Sequence, residues 1–177
     1  MTSIRIWTIA AIAFAAAAAQ ANLLSNAGFE SDWAEDWNPR WGTFSRENWP
    51  NGQPEGEYAG YIRADWSGAG EANGGALQSL PAQPGVDYIL TAQVYFDNGF
   101  KAETQALKLE FFDADNNLLD SFTSDLANLK SGQWVKITLT GKSPPETAKA
   151  QVVFEATDTG ESGVLGIDAL DLEAVAR

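Results

Sequence analysis

Short apolar runs alternate along the chain with clusters of Gly, Pro, Asn and Asp. Inside these runs apolar and polar residues alternate with a period of two, which is typical of half-buried β-strands. Apart from a short helical turn predicted over 125–130, no long stretch has helical periodicity. The pattern therefore predicts an all-β fold, with strands over 88–96, 107–112, 118–122, 134–139, 150–156 and 163–172.

Two turn sequences indicate how these strands pair. The polar segment Asp113–Asn117 lies between two apolar runs, so the strands on either side of it are expected to form a hairpin. The strands on either side of Pro144-Pro145 are expected to form a second pair. The segment Asp113–Asn117 lacks the Gly and Glu that an EF-hand calcium loop needs further along, so we interpret it as a turn only.

The first 21 residues have a different pattern from the rest of the chain. Arg5 precedes an apolar run from Ile6 to Ala19, and Ala19-Gln20-Ala21 is a small-x-small cleavage site. The run is shorter than the about 20 apolar residues of a membrane-spanning helix. We therefore expect a signal peptide over 1–21, a single domain over 22–177, secretion to the periplasm or medium, and no membrane span after cleavage.

Charge and composition exclude several classes of function. The chain has 11 basic and 24 acidic residues, a net charge of −13, which disfavours nucleic acid and anionic lipid as partners. It contains no His and no Cys, so disulfides and most catalytic triads are excluded. We expect no enzymatic activity; a small polysaccharide lyase or a glycosidase is the alternative.

Tryptophan is concentrated in the segment 31–75, which is rich in Gly, Asn, Pro and acidic residues. Aromatic loops on a strand scaffold are a common arrangement in binding proteins. Flat aromatic rings can also stack on the apolar C–H face of a pyranose. The five residues concerned are Trp33, Trp37, Trp41, Trp49 and Trp66.

Five short motifs follow one another along the chain: Asn22–Ser31, Gly74–Gln78, Gln83–Tyr88, Gly132–Trp134 and Gly166–Leu172. In these motifs and their order the chain resembles carbohydrate-binding modules of families four, nine and twenty-two. The resemblance implies a galactose-binding-like jelly roll, an antiparallel β-sandwich that binds glycans and catalyses nothing.

The resemblance also implies a structural calcium ion near the chain ends. Its ligands would be the carbonyl of Gly28, the carboxylates of Glu30 and Asp168, and either Glu57 or Glu55. Oxygen donors of this kind suit calcium. The residue after Asp168 is Ala, where the family commonly has a second Asp, so the site is expected to be weaker. The alternative is that Glu30 and Asp168 only cap strand ends.

Strand alternation predicts the glycan site. It assigns a set of mostly polar side chains to one outer sheet face: Gln93, Tyr95, Lys108, Glu110, Gln151 and Glu155. We predict that Tyr95 is the stacking platform and that Gln93 and Glu110 bond the sugar hydroxyls, with Glu155, Trp41 and Trp66 contributing. The alternative is an ordinary solvated face.

These observations favour a secreted, non-catalytic module whose partner is a poly- or oligosaccharide. The alternative function is a structural or surface-matrix β-sandwich without a sugar ligand, in contact with other exported proteins. Fold alone does not separate the two, because one scaffold serves many functions.

Overall fold

The computed structural model describes residues 21–32, 36–38, 40–48, 52–64 and 72–175, so most of the expected signal peptide lies outside it. These residues form ten strands: β1 Arg40–Gly42, β2 Phe44–Glu47, β3 Ala59–Arg63, β4 Ala72–Pro81, β5 Asp87–Phe96, β6 Thr104–Phe112, β7 Leu118–Asp125, β8 Val135–Lys142, β9 Lys149–Thr159 and β10 Val164–Val175. The short turn predicted over 125–130 starts one residue later, because β7 runs to Asp125; it is a single turn closed by the N–H of Leu129 donating to Leu126 at 3.2 Å, and it does not continue as a helix.

The strands form two five-stranded antiparallel sheets. The front sheet has the order β1-β4-β9-β6-β7, and the back sheet has the order β2-β3-β10-β5-β8. The predicted fold class, an antiparallel β-sandwich, is therefore confirmed. The predicted hairpin is also confirmed, since β6 pairs with β7. No helix within the described ranges is long and apolar enough to cross a membrane.

The second predicted pair is wrong, because β8 and β9 lie in different sheets. β8 pairs with β5, whereas β9 pairs with β4 and β6. The connection crosses the sandwich: the N–H of Ser143 donates to Val86 at 2.9 Å on the back-sheet side, and that of Ala148 donates to Phe112 at 2.9 Å on the front-sheet side. Pro144 and Pro145 lie in this crossover, where no ladder N–H is required of them.

The core lies between the two sheets, and strand alternation identified its members correctly. The side chains predicted to point inwards are all buried: Leu90, Ala92, Val94, Leu107, Leu109, Phe111, Val152 and Phe154. Trp37 is also buried and packs on Phe29 at a ring-centroid distance of 5.2 Å. It is therefore a core residue and is not available to a ligand.

A second apolar cluster lies on the outer side of the back sheet. It contains Ala59, Tyr61, Tyr95 and Val164, with Trp134 packed against them. The indole N–H of Trp134 donates to the carbonyl of Gly52 at 2.9 Å. This bond ties the segment that begins at Gly52 to the rim of the cluster. The outer side of the back sheet is therefore partly a packed interior.

Candidate functional site

The outer side of the front sheet gathers most of the predicted polar residues. We call the surface formed by Trp41, Lys108, Glu110, Gln151 and Glu155 the front face. Strand pairing arranges it in rows: Trp41 is opposite Gly75, and Gly75 is opposite Glu155. Further along the same strands, Gln151 is opposite Glu110. Four of the six side chains expected on one face therefore do share a face, in rows that follow one another along the sheet.

Trp41 supplies the aromatic platform of the front face. Its indole rests on the backbone of Gly75, where an added Cβ would lie 2.2 Å from Cζ2 of Trp41. Only a residue without a side chain permits this approach. Trp41 is half-buried, so part of the ring remains open to solvent. The position of this ring next to a row of polar groups is what a sugar-stacking site requires.

An ion pair crosses the front face. Lys108 Nζ lies 2.5 Å from Glu155 Oε1. The side chain of Lys108 is 25% exposed and that of Glu155 is 19% exposed. Partial burial reduces the screening of this pair by solvent. The interaction holds the ammonium of Lys108 to Glu155, which lies opposite Gly75 in the row of Trp41.

Glu110 and Gln151 face each other across β6 and β9, and both are half-buried. Within the part of the chain that the structure describes, neither side chain has a hydrogen-bond partner. Burial raises the pKa of Glu110, Lys108 lowers it, and Glu155 raises it further. Half-buried polar groups without partners are costly unless a ligand or water satisfies them.

The other two predicted side chains lie on the opposite side of the molecule. Gln93 and Tyr95 belong to β5 in the back sheet, although β5 and β6 are consecutive in sequence. The prediction of one shared face is therefore wrong. The chain changes sheets between them: the N–H of Asp97 donates to Val164 in the back sheet, and that of Glu103 donates to Thr157 in the front sheet.

Tyr95 cannot serve as the predicted stacking platform. Its side chain points outwards from the back sheet, but the residue is only 8% exposed because it belongs to the second apolar cluster. Its ring lies 5.5 Å from that of Trp134, and its hydroxyl donates to Asp97 Oδ1 at 2.9 Å. Trp66, the remaining predicted ligand residue, lies outside the described residues.

The residues predicted to bind calcium lie in one region, beside the bulge of β10 at Asp168. Asp168 is fully buried, and its carboxylate accepts two hydrogen bonds from backbone N–H groups. The N–H of Ala169 donates to Oδ1 at 2.7 Å, and the N–H of Glu55 donates to Oδ2 at 3.0 Å. Burial raises the pKa of the Asp168 carboxyl to about 7; these two bonds oppose the shift, while the charges of Glu55 and Glu30 add to it.

Glu30 is held in the same region by backbone amides. Its carboxylate accepts bonds from Glu57 at 3.0 Å and Tyr58 at 2.9 Å. A Cβ on Gly28 would lie 3.2 Å from Cδ of Glu55. Of the two acidic candidates left open by the sequence, Glu55 is therefore the one whose carboxyl group lies beside Gly28, whereas Glu57 contributes an amide to Glu30.

The kinds of donor atom in this region match those of a calcium site. In the described ranges, no group of three acidic side chains is placed to hold a metal ion. The donors are all oxygens, as calcium prefers. Two non-glycine residues with left-handed backbone, Phe29 at φ 57° and Ala169 at φ 47°, adjoin Glu30 and Asp168. Such conformations are often retained at functional sites.

Two surface cavities lie away from both regions. One, of about 480 Å³, is lined by the ion-paired side chains of Glu47 and Arg63. The other, of about 440 Å³, lies between the edges of the two sheets, where Phe122 packs on Gly141. Neither cavity contains a residue predicted to bind glycan or metal.

The fold is similar to that of several solved carbohydrate-binding modules. A family 16 module aligns with a TM-score of 0.65 and 17% identity, over 86% of this chain and 99% of the module. A family 61 module in complex with β-1,4-galactotriose aligns with a TM-score of 0.63 and 18% identity, over 88% of this chain and 100% of the module. The CBM22-1 xylan-binding domain of Paenibacillus barcinonensis Xyn10C aligns with a TM-score of 0.58 and 15% identity, over 90% and 99%.

The same fold occurs inside a larger protein. The enzymatically active domain of bacteriophage CBA120 tailspike protein 4 aligns with a TM-score of 0.68 and 16% identity. The alignment covers 87% of this chain but only 21% of the tailspike chain. No curated protein matches the sequence. Residues 21–161 match the family model for the carbohydrate binding domain of families 4 and 9. Since this match includes most of the chain, the protein belongs to that carbohydrate-binding family.

Proposed function

We propose that the front face is the glycan-binding site of this carbohydrate-binding protein and that it binds a poly- or oligosaccharide without cleaving it. One observation carries the proposal: Trp41 rests on Gly75 in the same row as Glu155, and the unpartnered pair Glu110 and Gln151 lies on the same face, four residues further along β9. A flat ring and free acceptors and donors spaced along one face match an oligosaccharide, whose units offer apolar C–H faces and hydroxyl edges.

Each group has a defined part in this binding. Trp41 would stack against a pyranose ring, and its position is set by Gly75. Gln151 would accept and donate hydrogen bonds, whereas Glu110 would accept them from hydroxyls. The ammonium of Lys108, held by Glu155, would point a further donor at the ligand. A bound sugar would thus satisfy the groups that the protein leaves without partners.

Two glutamines, Gln151 in the front sheet and Gln93 in the back sheet, provide a matched test. Gln151→Ala should weaken binding to a glycan identified on an array, by about 1 kcal/mol for a lost neutral hydrogen bond. Gln93→Ala, which removes an amide from the back sheet, should leave affinity unchanged. Isothermal titration measures both, and assay of reducing ends after long incubation checks that the glycan stays intact.

The reverse pattern, with Gln93 needed and Gln151 dispensable, would place the site on the back sheet. If the folded protein binds no glycan on a broad array, the structural or surface-matrix function takes precedence. Release of reducing ends that Glu110→Gln abolishes would make the protein a glycosidase instead.

We also propose a structural calcium ion held by the carbonyl of Gly28 and the carboxylates of Glu30, Glu55 and Asp168. The ion would supply positive charge to a buried carboxylate that otherwise faces other acids. Binding to the folded state alone raises stability with ligand concentration. The melting temperature should therefore rise with calcium and fall with chelator, and Asp168→Asn should remove the difference. An unchanged melting temperature would leave these residues without a metal role.

A further inference from the structure

Within the described residues the carboxylate of Glu110 forms no ion pair, and the only cation that acts on it is Lys108, whose charge lowers its pKa. On the front sheet it lies between Gln151 on β9 and Ser121 on β7, both neutral. It is half-buried, and it has no hydrogen bond or ion pair within the described ranges. A carboxylate that has lost part of its hydration and found no partner gains most from a positively charged ligand group.

The nearby lysines are already engaged. Lys108 Nζ is 2.5 Å from Glu155 Oε1. Lys149 Nζ donates to Asn116 Oδ1 at 2.8 Å and lies 4.5 Å from the centre of the Phe112 ring. Since both ammonium groups are directed to other partners, an exogenous cation would meet Glu110 without displacing either of them.

We propose that the front face selects a glycan containing free amino sugars, such as β-1,4-linked glucosamine, and that Glu110 accepts the sugar ammonium. This inference rests on the proposed glycan site. Trp41 would stack on one ring while Gln151 bonds the hydroxyls beside the ammonium. The net charge of −13 attracts such a ligand and repels glycans rich in uronic acids. The raised pKa of Glu110 is in line with this, because its burial disfavours the ionised form until a cation is present.

Two matched ligands and two matched variants test the inference. The ligands are a hexamer of β-1,4-linked glucosamine and its fully N-acetylated counterpart, which lacks the charges. Wild-type protein should bind the amine hexamer about tenfold more tightly, the difference between a charged and a neutral hydrogen bond. Glu110→Gln keeps the shape of the side chain and should abolish this preference, with little change for the acetylated hexamer.

The variant Glu173→Gln serves as the control for non-specific attraction of a polycation, because it removes one negative charge from β10 in the back sheet. This variant must keep the preference, and added salt should weaken only the binding of the amine hexamer. Equal affinity for both hexamers, or a preference that survives Glu110→Gln, would overturn the inference. If neutral xylo- or cello-oligosaccharides bind and the amine hexamer does not, the glycan site stands and only this inference falls. If no glycan binds, both fall.

Discussion

The indole of Trp41 lies on the backbone of Gly75, so close that a Cβ there would be 2.2 Å from Cζ2. The ring packs on β4 on one side and remains partly exposed. Trp41→Ala should therefore lower glycan affinity by about 1–2 kcal/mol, the scale of an aromatic contact plus its buried area, and leave the fold intact. Titration calorimetry gives the affinity, and thermal unfolding checks the fold.

Trp134 is the matched control for Trp41, because its ring packs against Tyr61 and Tyr95 on the back sheet. Trp134→Ala should lower the melting temperature, since it removes ring packing and the bond to Gly52. Glycan affinity of the folded fraction should not change. Loss of affinity in the Trp134 variant alone would contradict a front-face site.

Tyr95→Ala is expected to destabilise the protein, because a ring that is only 8% exposed is removed from a packed cluster. The free energy of unfolding should fall by about 3 kcal/mol, as for other buried aromatic truncations. Tyr95→Phe, which keeps the ring and removes the hydroxyl that bonds Asp97, should cost about 1 kcal/mol. Chemical denaturation measures both. A Tyr95→Ala variant of normal stability would show that this cluster is not packed.

Asp168 makes stability depend on pH. Burial raises the pKa of its carboxyl from 3.8 to about 7, so the folded state keeps a proton that the unfolded chain releases. The contribution of Asp168 to stability should therefore decline as pH rises between these two values, and remain low above them. The difference in unfolding free energy between wild type and Asp168→Asn, measured in chelator across this range, reports the decline.

Calcium should remove this decline in stability. A bound cation favours the ionised carboxylate, so wild-type stability in calcium should no longer fall as Asp168 loses its proton. Persistence of the same decline in calcium and in chelator would argue against a metal at Asp168. A flat difference between wild type and variant in chelator would show that burial does not shift this carboxyl.

Asn22 is expected to be the first residue of the exported protein. Its side-chain Nδ2 donates to the carbonyl of Leu170 at 2.8 Å, and its Oδ1 accepts a 3.0 Å bond from the N–H of Leu172. Cleavage after Ala21 would keep this residue, which joins the start of the domain to β10. N-terminal sequencing of protein from the periplasm or medium tests this; a start at Met1, or one after Asn22, would contradict it. Asn22→Ala should cost about 1–3 kcal/mol of stability.

The sequence by itself determined where most strands lie and which way their side chains point. Leu109 and Glu110 fall on opposite sides of β6, as the period-two pattern predicts, because successive side chains of a strand must alternate. The hairpin of β6 and β7 was also predictable, since the polar turn at Asp113–Asn117 is a local signal. These features depend on residues close together in the chain.

Only the tertiary structure decided which outward side chains share a surface. β5 and β6 follow each other in sequence but join different sheets, so Tyr95 and Glu110 lie on opposite sides of the molecule. Alternation assigns a side chain to the inside or outside of its own sheet, and it contains no information on which sheet that is. Nor does it show that Tyr95, although outward, is buried beside Trp134, whose indole is bonded to Gly52 more than eighty residues earlier. Strand partners and covering segments are set by contacts between residues far apart in the chain, so a local pattern does not encode them.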